Sequence, residues 1–364
     1  MSLKKILSPL LFKIIKRHRN ATMNNRVLDK GRTKLNKEEI HLCKDFWGKS
    51  YNKGKERCYE LYKNFGVFDV RQMPNDYYSD VEKVLNPPAY SVFLQHKCNL
   101  KYFIPSEYRP ITLVQNIDHH FLDANDVVIS KEDAVKIMLD AKEFIIKIAK
   151  NSGGGSGIKK ILLKGNQDDI KIVGDLVNEY KKDFIVQRLI KQHKEIAKFN
   201  PDSVNSIRVL SMNINDNFSI LSSFIRMGGK GNFVDNLSGP EGSVLVGLKQ
   251  NGELHNFGID KKYRKLYESP TGIKFEGLKI DNFEHIKSLV RKLHIENFPF
   301  ANLIGWDISI DENNKPVIIE INLNSGEIEL HQVFNGPIFG NRTYEVLDYM
   351  KNNKLFLGLS LSDN

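Results

Sequence analysis

The sequence predicts an α+β protein with a basic, mostly helical N-terminal region. Three observations predict it. The stretch 303–326, LIGWDISIDENNKPVIIEINLNSG, reads as two short strands joined by Asp-Glu-Asn-Asn-Lys-Pro turn chemistry, with carboxylates set inside β-branched runs. Residues 207–214 and 218–227 read as a strand pair with one arginine in each strand. Residues 144–148 and 158–163 read as short strands on either side of a glycine run. Helical patterns at 130–140, 283–297 and 343–351 supply the α part.

At 364 residues the chain is too long for one small core, so two domains, or one of two or three lobes, are expected. A hydrophobic content of 41% and a charged content of 27% are those of ordinary globular proteins. No apolar run approaches the roughly 20 residues of a membrane span. The formal net charge of +10 favours anionic partners. Cys43, Cys58 and Cys98 form no metal-binding pattern and are odd in number, which points to reduced thiols and a cytoplasmic setting.

Residues 1–28 carry seven Lys/Arg and no acid, with Leu3, Ile6, Leu7, Leu10, Leu11, Ile14 and Ile15 at helical spacing. This is the pattern of an interfacial helix on an anionic membrane, or of a helix packing on its own domain. Residues 34–65 read as helical, with aromatic residues among lysines. No nucleic-acid motif accompanies them, and no nucleic acid is expected as a partner. Residues 66–89 read as loop-rich and 90–116 as alternating helical and extended pieces. Ser130 followed by Asp133 marks a helix start.

Lys147 lies in the strand 144–148, just before the run 151–157, NSGGGSG. Backbone amides of such a run can lie against phosphate oxygens. It lacks the Gly-Lys-Ser/Thr ending of a P-loop, so a flap over a nucleotide suits it better. Residues 184–190 form another expected strand. Arg208 and Arg226 stand in apolar or small-residue surroundings and need an anion there, either a ligand's phosphate or carboxylate or an internal partner. Five glycines between 228 and 242 surround Asp235 and Asn236, the composition of a loop that approaches a ligand closely. In the hairpin, Glu320 and Asn322 share a strand face, and Asp307 reaches that face if the strands pair. Three hard oxygen ligands of this kind suit Mg²⁺, unless the acids simply face water.

In its order of elements the chain resembles the ATP-grasp superfamily, and within it the sugar-transfer-associated group of polysaccharide biosynthesis loci. The resemblance spans roughly residues 90–345. It is carried by NPDSVNSIRV at 200–209, FIRMGGKGNFVDNLSG at 224–239 and GWDISI…VIIEINLNSG at 305–326. It implies an ATP-grasp fold of two α+β lobes clasping ATP. The lobes would follow a basic helical region at 1–89: a pre-ATP-grasp lobe at 90–140, a small lobe with the flap at 141–191 and a large lobe with the Mg²⁺ site at 192–350, then a tail at 351–364.

The same resemblance implies nucleotide contacts from Lys97, Lys147, Ser152, Gly153, Gly154, Gly155, Ser156, Asn205 and the hinge residues Gln187, Arg188 and Leu189. It implies Mg²⁺ ligation by Asp307, Glu320 and Asn322, and substrate contacts from Asp235 and Asn236. Many ATP-grasp ligases carry an arginine two residues before the first aspartate, where this chain has Gly305. The anion-stabilising role then falls to Arg226 or Arg208. The implied function is an ATP- and Mg²⁺-dependent carboxylate–amine ligase acting through an acyl phosphate on an acidic sugar of a surface polysaccharide. It would work in the cytoplasm, at the inner face of the membrane if 1–28 binds lipid. An ATP-grasp sugar kinase and a non-catalytic protein binding nucleotide or an anionic polymer are the alternatives.

Overall fold

The computed structural model describes residues 33–48, 53–86, 88–150, 155, 157–235 and 242–353. The amphipathic helix expected in 1–28 and nearly all of the 351–364 tail lie outside the described residues.

Helix α1 (Lys37–Trp47) opens with a capping box. Glu39 N donates to Asn36 Oδ1 at 2.8 Å, and Asn36 N donates to Glu39 Oε2 at 2.7 Å. Two amides that a helix start leaves unpaired are thereby satisfied. Helix α2 (Lys53–Asn64) completes the helical pair expected in 34–65. Helix α3 (Asn75–Leu85) corrects the loop-rich expectation for 66–89. Its Asn, Asp and Ser residues favour turns, but Val81, Val84 and Leu85 bury a helical stripe, and tertiary burial overrides weak propensity. Helix α4 (Pro88–Leu94) and a 3₁₀ helix (Lys97–Tyr102) lead into the first sheet.

That sheet contains β1 (Thr112–Ile117), β2 (His120–Leu122), β3 (Val128–Ile129), β4 (Glu143–Ile148), β5 (Ile158–Leu162) and β6 (Phe184–Gln187). Its order is β3-β2-β1-β6-β4-β5, with antiparallel pairs. Helix α5 (Lys131–Ala141) starts at Ser130 as expected, with Asp133 N donating to Ser130 Oγ at 3.0 Å. Helix α6 (Asp168–Tyr180), absent from the sequence expectations, has no side-chain cap at its N-terminus. Asp169 instead accepts the amides of Lys164, Gly165 and Asn166 at 2.6–3.2 Å. Both helices pack on Val114, Phe144, Ile146, Phe184 and Val186. The strand expected over 184–190 stops at Gln187. Arg188 N still donates to Ile111 O at 2.9 Å, but Leu189 and Ile190 leave the sheet toward the short helix α7 (Lys194–Ala197).

The second sheet contains β7 (Ser206–Ile214), β8 (Asn217–Met227), β9 (Val244–Leu248), β10 (Leu254–Ile259), β11 (Lys265–Leu266), β12 (Leu303–Ile310) and β13 (Pro316–Asn322). Its order is β11-β10-β9-β8-β7-β12-β13. Helix α8 (Phe283–Asn297) packs on one face, against Ile207, Val209, Ile225, Ile304, Trp306 and Ile308. The opposite face carries Leu210, Met212 and Leu303. It is covered by α1, α3 and α10 (Thr343–Asn352), with α9 (Ile328–Asn335) packing nearby. Strand alternation drives Trp306 and Ile308 into the α8 side and turns Asp307 to the other. Fully burying a side chain such as Phe or Leu contributes about 1.5–3 kcal/mol, so a one-residue slip of β12 would forfeit several such contributions. Among the described residues no helix is long and apolar enough to cross a membrane.

Candidate functional site

Register places the site. Strands β12 and β13 pair antiparallel with Asp307 opposite Glu320 and Gly305 opposite Asn322. The hairpin therefore brings the three expected metal ligands together. Strand β7 lies on the other side of β12, with Arg208 opposite Asp307. In the β7–β8 pair, Ser206 faces Arg226. Both arginines and Asp307 converge on one face of the second sheet.

There the arginines find internal anions. Arg208 grips Asp307 with two bonds, Nε to Oδ1 at 2.5 Å and Nη2 to Oδ2 at 3.0 Å, and its Nη1 donates to Ser325 O at 2.8 Å. Arg226 Nη1 reaches Asp307 Oδ1 at 3.3 Å, and its Nη2 donates to Glu327. Burial pushes the Asp307 carboxyl up, but the two guanidinium charges outweigh it and hold the group below the usual carboxylate range. Burial likewise pulls Arg226 down, and Asp307, Glu327 and Asp235 more than restore its charge. Asn322 Nδ2 lies 3.3 Å from Asp307 Oδ2.

Gly305 explains the departure from the usual arginine. A Cβ at that position would lie 3.2 Å from Arg208 Nη1. The bare backbone leaves room for the Arg208 guanidinium of the neighbouring strand β7 to lie across it.

The first sheet and the 3₁₀ helix before it contribute one lysine each. Lys97 Nζ lies 3.3 Å from Glu320 Oε1, and its backbone N donates to Ala149 O at 2.7 Å. Lys147 sits on β4 between Ile158 of β5 and Ile185 of β6 and is 6% exposed. Burial pulls its pKa down to about 8; the charges of Glu320, Asp235 and Asp307 oppose the fall and Lys97 adds to it. Gln187 is buried between Thr112 and Ile145, whereas the Arg188 side chain is exposed.

The β4–β5 pair forms the expected strand–loop–strand flap. Ser152, Gly153, Gly154 and Ser156 lie outside the described residues. A Cβ built on Gly155 would contact the Val234 side chain at 3.5 Å, so this part of the flap lies against the glycine-rich loop. Asp235 follows Val234. It accepts Ser206 N at 2.9 Å and also the Ser206 hydroxyl. Burial raises its pKa despite Arg226 and the Ser206 bonds. Asn236 lies outside the described residues.

Asn205, expected at the nucleotide, is wholly buried in the 200–206 turn. Its amide nitrogen donates to Asn200 O at 2.9 Å, Ile196 O at 3.0 Å and Gln192 Oε1 at 3.2 Å. Asn200 Nδ2 in turn donates to Gly228 O at 2.7 Å, tying this turn to the glycine-rich loop.

Glu327 is a site residue that the sequence reading missed. The one local signal is an acid directly after Asn-Ser-Gly at the head of an apolar helical pattern; its arginine partners lie about a hundred residues earlier in the chain.

The donor chemistry fits a hard divalent cation. Asp307, Glu320 and Asn322 offer two carboxylates and an amide, a set suited to Mg²⁺ that keeps waters and phosphate oxygens in its remaining positions. Among the described residues no group of three or more His, Cys, Asp or Glu side chains forms a self-sufficient metal cage.

Residues 79–347 match the family model described as sugar-transfer associated ATP-grasp. Solved structures similar to the chain include D-alanyl-alanine synthetase A from Vibrio cholerae, at 12% identity and TM-score 0.42, covering 72% of this chain and 65% of that one. Another is N5-carboxyaminoimidazole synthetase from Staphylococcus aureus with ADP, at 15% and 0.37, covering 67% and 52%. A third is the D-alanine–D-alanine ligase from Coxiella burnetii, at 10% and 0.39, covering 72% and 60%. This chain thus spans less than two thirds of each. No curated protein sequence matches it.

Proposed function

The chain belongs to the sugar-transfer associated ATP-grasp family, and on that premise we propose that it is an ATP- and Mg²⁺-dependent carboxylate–amine ligase acting on an acidic sugar of a surface polysaccharide. One observation carries the reading. Asp307, Glu320, Asn322, Arg208 and Arg226 converge on a sheet face, and the charges of Glu320, Asp307 and Asp235 act on the buried Lys147 of the other sheet. Among the described residues, the Lys147 ammonium forms no hydrogen bond or ion pair that would account for burying it there. A buried ammonium needs an anion, and a nucleotide phosphate supplies one.

In this reading residues 90–140 and 141–191 close over the nucleotide and 192–350 hold its phosphates and the acid. Lys147 and Lys97 bind phosphate oxygens, the flap excludes water, and 187–190 receive the base. Asp307, Glu320 and Asn322 would hold Mg²⁺, which would supply neutralising charge at the phosphates. A carboxylate oxygen of the acid attacks the γ-phosphorus as its bond to the ADP oxygen breaks. The amine nitrogen then attacks the acyl carbon, the bond from carbon to the phosphate oxygen breaks, and phosphate leaves while the amine proton passes to solvent. Arg226 and Arg208 stabilise the negative charge that develops in both steps. Residues 1–28 would hold the enzyme at the inner membrane face.

The test is thermal unfolding with a non-hydrolysable ATP analogue, with Mg²⁺, with both and with neither. The midpoint rises only with both, by mass action on the folded state, and Glu320→Ala abolishes the rise. ADP release with uronates and amines then identifies the substrates. A wild-type midpoint indifferent to millimolar nucleotide would sink the reading.

A further inference from the structure

Glu327 makes the contact in the site that the ligase chemistry leaves unused. Asp307 takes the Nε and Nη2 edge of Arg208. What remains of the two guanidinium groups, Arg226 Nη2 and Arg208 Nη1, converges on the Glu327 carboxylate, the second of these at 3.5 Å. Glu327 is the more open partner of the group. Its side chain is 32% exposed, against 5% for Arg208, 8% for Arg226 and 10% for Asp307. It also sits in a conformation that glutamate disfavours, with φ 55° and ψ 41° at the head of α9. Left-handed backbone is costly for a non-glycine residue, and strain of this kind collects at ligand clamps and switches. A carboxylate is thus held by a strained, accessible residue on two guanidinium edges that would equally well hold a substrate carboxylate.

We propose that Glu327 is an internal surrogate for the acid substrate. Its carboxylate accepts from Arg226 Nη2 and lies beside Arg208 Nη1, which also donates to Ser325 O, in the resting protein, and the carboxylate of the sugar acid displaces it to bind there. This rests on the ligase reading and deepens it, because it fixes where the acid binds and which residue competes for that place. A tethered carboxylate competes at an effective concentration in the millimolar range. Removing it raises the fraction of protein competent to take an external carboxylate, and the apparent affinity rises by the same factor. A merely structural Glu327 would give the opposite sign.

The experiment uses the full chain saturated with MgADP. Calorimetry measures binding of D-glucuronate, with D-glucose as the neutral control, to wild type and to Glu327→Gln. Glu327→Gly is the second variant, since glycine relieves the left-handed backbone and serves if glutamine disturbs folding. The expected result is glucuronate affinity about tenfold tighter in the variants, no binding of glucose, and MgADP midpoint shifts as in wild type. Adding Arg226→Lys to either variant removes the gain. Equal or weaker glucuronate binding in both variants, binding by no protein, or loss of the MgADP shift in both variants overturns the proposal. Absence of that shift in wild type overturns the ligase reading itself, and the surrogate role with it.

Discussion

Gly305 and Arg208 act as one unit at the scale of single residues. Gly305 leaves the space across which the Arg208 guanidinium reaches Asp307 and Ser325. Introducing Gly305→Arg should crowd Arg208 and cut ADP release roughly a hundredfold, as loss of a group aimed at developing charge does. The double variant Gly305→Arg/Arg208→Gly should retain more activity than either single variant, a coupling that steady-state assays of the full cycle would reveal. Single variants with additive effects would show that the charge has not simply moved between strands.

Lys147 gives a second test at this scale. Its pKa of about 8 lies below the ordinary 10.5 of lysine. Between those values the unfolded chain holds a proton that the folded protein has released, so stability rises with pH across that window, and the cost of the buried charge is fully present below it. Nucleotide binding moves the other way, because phosphate needs the ammonium. MgADP affinity should weaken as pH rises through about 8, and Lys147→Arg should remove both trends in calorimetry and urea titrations. The sequence makes Asp307, Glu320 and Lys147 conspicuous because charge inside an apolar strand is costly to bury. It does not show that Asp307 holds both arginines, nor that the Asn205 amide nitrogen is held inside a turn, since those depend on which strands become neighbours.

Elements were legible where their period was strong. The acidic hairpin, the β4–β5 pair and the β7–β8 pair all stand where alternation and turn residues place them. Helices α3, α6 and α9 were not announced; α3 is rich in turn formers and α9 is only eight residues long. The oversight at α3 matters for the site. Asn86, at its C-terminal end, donates to Leu303 O at 2.5 Å and Leu323 O at 2.7 Å and accepts Asn302 N at 3.0 Å. Glu82 accepts Gly326 N at 2.8 Å. One helix therefore fixes both strands of the acidic hairpin at its open end. Asn86→Ala strands several buried backbone groups at once and should cost about 2–4 kcal/mol, read as a lower urea midpoint with unchanged slope. An unfolding midpoint within error of wild type would show that the helix merely covers the hairpin.

At the scale of the whole molecule, the two sheets divide the work. The first carries Lys147 and the flap strands, the second carries acids and arginines, and the helices before residue 95 brace the second. The α+β class follows from the consecutive strand pairs set beside separate helical patterns, whereas the way the N-terminal helices wrap the second sheet depends on contacts more than two hundred residues apart. Residues 1–28 make a prediction of their own. With seven basic residues and no acid, they should bind vesicles containing phosphatidylserine. Removing them should abolish co-sedimentation with such vesicles, leave neutral vesicles unbound as before, and leave the MgADP midpoint shift intact. Co-sedimentation that survives the deletion would move the membrane contact elsewhere.

The 3₁₀ helix at Lys97–Tyr102 has a mechanical consequence. Its first residue is stitched by its backbone to Ala149 at the flap's base and by its ammonium to Glu320 on the opposing sheet. A phosphate that draws the ammonium away undoes the second stitch and leaves the first in place. In the ligase reading, arrival of the nucleotide would then be felt at once at the root of the flap and at β13, through a residue that joins them.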